Sequence, residues 1–148
     1  MGLTNELAEL ATLVLKTGVG IGGLSQDQRD LALSVPALAL PLGRVADEAQ
    51  VNRLLRDALA AQAAFLDTDH VELRRWLVDA GWWQRDGYGR AYERTPLQAL
   101  PEPLRRLTLA LDGHDLAAWV AAQRDEAQAR REARREAWAS KQDGAAHG

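Results

Sequence analysis

The chain has 148 residues, 47% hydrophobic and 26% charged, which is enough to bury the core of one compact domain with an appendage and too apolar for disorder throughout. It contains no cysteine, which excludes disulfides, thiolate-held zinc and a cysteine nucleophile. A formal net charge of −3 provides no overall attraction for nucleic acid, so any DNA contact has to come from a local basic patch.

The first residues lack the basic, apolar and small-residue succession of a secretory signal, and no apolar run reaches the roughly 20 residues that span a bilayer. The expected location is the cytoplasm, with no membrane partner. Leu3, Leu7, Leu10 and Val14 recur at helical spacing behind Thr4 and Asn5 as caps, and predict an amphipathic helix ending near Lys16. Gly18, Gly20, Gly22 and Gly23 then interrupt it. Phosphate-binding glycine loops follow a strand and lead into Gly-Lys-Ser/Thr; neither feature is present, so the expected role is a flexible connector.

Ser25 to Gln28 has the form of a capping box and opens a short helix with Leu31, Ala32 and Val35 inward, which Pro36 is expected to stop. The apolar run Ala37 to Leu42, punctuated by Pro41, reads as an extended segment lending a strand to a hairpin edge. After a turn at Gly43 and Arg44, Asp47 caps a helix that buries Val51, Leu54, Leu55, Ala58 and Leu59 and leaves Arg53, Arg56 and Asp57 toward solvent.

Asp69 caps the next helix, with Glu72 completing an Asp-x-x-Glu box. Leu73, Trp76, Leu77 and Ala80 share its inner face, and Gly81 ends it in the left-handed conformation. Trp82 or Trp83 seals the helix to a hairpin whose turn is Asp86-Gly87-Tyr88-Gly89. On the returning strand, Ala91 and Glu93 face one way and Tyr92 the other. A short helix followed at once by a hairpin predicts a winged helix-turn-helix.

Pro96, Pro101 and Pro103 punctuate a linker with a short helix from Pro103 onward, and a long helix runs from Asp112 or Asp115 to Ser140. Beyond Gln123 that helix is mostly Ala, Arg and Glu, with Trp138 the exception. The expected fold class is mainly α with a small β-hairpin, a winged helix-turn-helix flanked by N-terminal helices and a long C-terminal helix. Its segments are N-terminal helices at 1–36, the winged-helix domain at 37–95, a Pro-containing linker at 96–111, the C-terminal helix at 112–140 and a disordered tail at 141–148.

Several of these residues recur together in a known pattern: Glu48, Val51 and Asn52; Asp69 and His70; Leu73, Arg74 and Arg75; Leu77, Val78, Asp79 and Gly81; Arg85, Asp86, Gly89 and Tyr92. In this spacing the chain resembles the bacterial family called domain of unknown function 2087 over about residues 43–95. The resemblance implies a winged-helix-like domain associated with transcriptional regulators, and no established chemistry. The chain departs from the pattern at Trp83, where a smaller aliphatic residue is typical, and in having no aromatic just after Tyr92.

In a helix-turn-helix the second helix enters the major groove while arginines hold phosphates. On that reading the nucleic-acid contacts are His70, Arg74, Arg75, Arg85 and Arg90, the partner is duplex DNA and the role is transcriptional regulation. The competing reading is a solvated face in which the same arginines pair with Glu72, Asp79, Asp86 and Glu93. Eight arginines against nine acidic residues between Arg44 and Thr95 make the local balance unfavourable for DNA.

The alternative function is protein association or homodimerisation through the N-terminal helix, the C-terminal helix or an exposed tryptophan. The helix beyond Gln123, with Arg124, Arg130, Arg131, Arg134, Arg135 and Lys141 against four acidic residues, is open to gripping nucleic acid, dimerising or standing exposed. It lacks the apolar heptad of a long coiled coil. His70 has only His114 and His147 as companions, without metal-ligand spacing. Capping accounts for Asp69 with Glu72, and a turn for Asp67 with Asp69. No metal, cofactor or catalysis is therefore expected.

Overall fold

The computed structural model describes residues 2–88 and 90–147, with side chains described for 5–88 and 90–144. Gly89 of the expected turn, the side chains of Leu3, Thr4 and His147, and Gly148 lie outside the described residues. The chain forms α1 (Gly2–Val14), α2 (Gln26–Ala37), β1 (Ala46–Asp47), α3 (Glu48–Ala60), α4 (His70–Asp79), β2 (Trp83–Arg85), β3 (Ala91–Arg94), α5 (Glu102–Leu111) and α6 (Leu116–His147). It is mainly helical, with one small antiparallel sheet in the order β1-β3-β2.

The core is organised around α2, which buries every residue from Asp30 to Ala37 and packs against α1, α3, α4 and α5. Ser25 caps it by accepting a hydrogen bond from the Gln28 amide. Pro36 does not stop this helix. It sits in the last turn, where the Leu38 amide still bonds the Ser34 carbonyl at 3.0 Å, and the helix ends at Ala37. The expected strand at Ala37 to Leu42 is also absent, because that helical end and a turn closed by Arg44 N to Pro41 O at 3.2 Å use up the segment. The chain becomes extended only at Ala46, and β1 supplies the third strand.

One group in α2 carries a charge into this core. Asp30 is buried, and burial pushes its carboxyl above the usual 3.8, with Asp27 adding to the rise and the Gln26 hydrogen bond and Arg29 opposing it. A carboxyl whose pKa is raised on folding favours the fold most when protonated, and that contribution is lost as pH climbs from the unfolded value through the folded one. Asp30→Asn keeps the acceptor that Gln26 Nε2 meets at 2.8 Å and removes the charge. Urea melts should therefore show the variant gaining on the wild type as pH rises from about 3 toward neutrality; a difference independent of pH contradicts this account.

The glycine-rich connector is an ordered piece of the fold. Val19 pairs with the α3–α4 connection through Val19 N to Phe65 O at 2.9 Å and Asp67 N to Val19 O at 2.8 Å. Ile21 is buried in a short 3-10 turn, and Arg29 donates to the carbonyls of Ile21, Gly22 and Leu24. The amides of Gly23 and Leu24 are spent on the carbonyls of Gly20 and Ile21, an arrangement unlike a phosphate cradle. Only Gly18 within this stretch takes a positive φ, 67°.

Sheet register follows the expected alternation: Trp83, Gln84 and Arg85 face Arg94, Glu93 and Tyr92, while Ala46 and Asp47 face Tyr92 and Ala91. Tyr92 is buried, and so is Arg94 on the same side of β3. Arg94 forms a paired contact with Asp112 at 3.2 and 3.1 Å that ties the sheet to the end of α5. Trp82 and Trp83 are both buried, and Trp83 Nε1 donates to the Ala37 carbonyl at 3.0 Å. Residues 141–147 continue α6 where a disordered tail was expected. One glycine, Gly144, costs a helix only about 1 kcal/mol, and its alanine neighbours favour helix. No helix among the described residues is long and apolar enough to cross a membrane.

Candidate nucleic-acid interface

α3 and α4 are fixed by their caps. Asp47 and Gln50 form a reciprocal box at the start of α3, with Gln50 N to Asp47 Oδ1 at 2.8 Å and Asp47 N to Gln50 Oε1 at 2.9 Å. Asp69 accepts from the Glu72 amide at 2.8 Å and starts α4. Leu73 and Leu77 bury α4 against the core, and Gly81, at φ 93°, turns the chain into the buried Trp82. Trp76 completes the core stripe at its edge, packed against the buried cluster. It is half-buried beneath the Arg29 guanidinium, 5.0 Å from the ring centre, so the glycine loop and α4 share one aromatic contact.

The five expected contact residues have different surroundings. Arg74 is mostly buried, its Nη1 lying 2.6 Å from Asn52 Oδ1 and 3.4 Å from Glu48 Oε1, with its guanidinium 5.5 Å from the Tyr92 ring centre. It braces α4 against both α3 and β3. Arg75 and Arg85 are exposed, from α4 and β2 respectively. Together with Arg74, Asp79, Val78 and Tyr92 they line a cleft of about 300 Å³ between α4 and the hairpin. His70 lies outside that lining, its Nε2 3.4 Å from Arg56 Nη2. Arg90 is exposed at the hairpin tip, where its backbone amide donates to Asp86 Oδ1 at 2.8 Å.

The cleft thus carries three cationic side chains and one carboxylate, a local excess of positive charge in an acidic protein. On the outer face of α4, Glu72 and Asp79 flank Arg75. Asn52, Glu48 and Tyr92 were not among the expected site residues, although they set the position of Arg74. The signal was present: Glu48 and Asn52 lie four apart on one face of α3, within reach of a neighbouring helix. Among the described residues no group of three or more His, Asp or Glu side chains is placed to hold a metal ion.

Residues 24–94 match the model of the family described as "Uncharacterized protein conserved in bacteria (DUF2087)". The match starts upstream of the stretch from which the resemblance was drawn and takes in α2, the helix at the centre of the core. No curated protein and no solved structure matches the chain.

Proposed function

From a chain whose residues 24–94 match that bacterial family, we propose a winged-helix protein that binds duplex DNA and acts in transcriptional control. The observation that carries the reading is the convergence of Arg74, Arg75 and Arg85 on one cleft between α4 and the hairpin. Such a cleft fits a backbone phosphate. Chain order supports it: a helix, a strand, two capped helices and a hairpin that pairs back onto the first strand, the order in which the second capped helix, α4, serves as the recognition helix on this reading. Arg75 and Arg85 hold phosphate, Arg90 reaches outward from the hairpin tip, His70 sits at the leading end of α4, and Arg74 positions α4 and adds charge from below.

Few phosphates are engaged on this account, so binding is weak and its salt dependence is shallower than that of a protein gripping about six to ten phosphates. Three arginine–phosphate contacts at this site contribute roughly −3 to the slope of log affinity against log salt. Fluorescence anisotropy with mixed-sequence duplex at low salt should show a slope at least that steep, and Arg75→Gln with Arg85→Gln should lower affinity about tenfold or more and make the slope shallower by about 2, by removing two phosphate contacts. Absence of binding, or binding indifferent to both substitutions, removes the proposal.

A further inference from the structure

The outer part of α6 has a sorted arrangement of charge that the cleft does not use. From Gln128 to Gly144 every residue is exposed, so the helix projects roughly 25 Å beyond its last packed residue, Ala127. Trp138 is 64% exposed near the middle of this arm. Arg131, Arg134, Arg135 and Lys141 stand seven, four and three residues before it and three after it, which places all four around the indole on one helical face. Glu132, Glu136 and Asp143 recur at steps of four and seven along the far side, in line with Asp125 behind them, while Glu126, four residues before Arg130, flanks the basic face at its root. Arg130, Arg134, Arg135 and Lys141 have no ion pair or side-chain hydrogen bond among the described residues.

The basic face runs back onto the body. Leu116, Val120 and Ala127 pack the root of α6 on the same side of the helix. Lys16, Arg124 and Arg131 there line a cleft of about 380 Å³ with Leu15 and Phe65, and no carboxylate is among its lining residues. Arg124 is held in place by its bond to the Ala61 carbonyl at 2.8 Å. A row of cations with one aromatic side chain in it is thus mounted on one continuous helix.

We infer that this face of α6 is a second nucleic-acid surface, on which the arginines and Lys141 follow a sugar–phosphate backbone and Trp138 lies against the strand. Charge complementarity selects the partner: a polyanion matches a row of unpaired cations, and a base or sugar offers the indole a flat apolar contact. A two-fold pairing of the arm with a second copy would set like charges against each other. An apolar membrane interior finds only Trp138 and alanines to take up. The inference stands on the arm alone and does not depend on the α4 cleft.

The test uses the full chain, the combined Arg134→Gln, Arg135→Gln and Lys141→Gln variant, and Trp138→Ala, with circular dichroism confirming unchanged helix content. Fluorescein-labelled 20-nucleotide single-stranded and duplex probes are titrated at low salt, beside vesicles of phosphatidylglycerol. The triple variant should lose at least about tenfold in affinity for one or both oligonucleotides and lower the salt slope by about 2–3. Trp138→Ala should weaken single-strand binding about fivefold or more, as loss of one stacked base predicts. Arg75→Gln with Arg85→Gln, by contrast, leaves the contribution of the arm in place. Oligonucleotide binding equal to wild type in the triple variant, or binding by the arm to vesicles alone, overturns the inference while leaving the α4 cleft to be judged by its own substitutions.

Discussion

Trp83→Ala is expected to destabilise the fold by about 3–5 kcal/mol, the range for deleting a large buried aromatic. Trp83 is 1% exposed, and its indole nitrogen bonds the Ala37 carbonyl at the end of α2. Its removal therefore opens a cavity between the hairpin and the central helix and leaves a buried carbonyl unmet. Trp83→Phe keeps most of the apolar volume and loses the bond, and should cost less. Urea denaturation of the two variants checks this. A loss below about 1 kcal/mol for the alanine variant would mean that the hairpin is held by something other than this contact.

Asp112→Ala should destabilise by about 3 kcal/mol, because it leaves the Arg94 guanidinium, 5% exposed, without its partner inside the protein. The partners are not equivalent. Asp112 is 40% exposed and can be hydrated, so Arg94→Met, which takes away the buried charge and fills its space, should be milder than Asp112→Ala. The reverse order in paired thermal melts would place the cost in packing around the arginine stem, and the ion pair would then be a minor contributor.

Local chemistry made much of the fold legible. Ser25, Asp47 and Asp69 cap their helices as their positions before apolar periodicity suggested, and Gly81 takes the positive φ that a helix end followed at once by a strand requires. Strand alternation even contained the burial of Arg94, two residues beyond Tyr92 on the same face, though only the tertiary structure supplies Asp112 to meet it.

What composition hid was long-range. The stretch 18–23 looks loose because nothing in its neighbourhood reveals that Phe65 will meet the Val19 amide and Arg29 the carbonyls of Ile21 and Gly22. Pro36 resembles a stop because the penalty of proline falls on a turn that here was ending anyway. At the candidate site the arginines were visible in the sequence, but their division of labour was not. Arg74 became a brace because α3 delivers Glu48 and Asn52 to it, whereas Arg75, one residue on, points to solvent.

The proposal that α4 and the hairpin meet DNA is tested most directly by following backbone amide resonances during titration with duplex DNA at low salt. The account predicts perturbations concentrated at His70 to Arg75 and at Arg85 to Arg90, fading as salt is raised. Perturbations absent from both segments, or confined to α6, would contradict it.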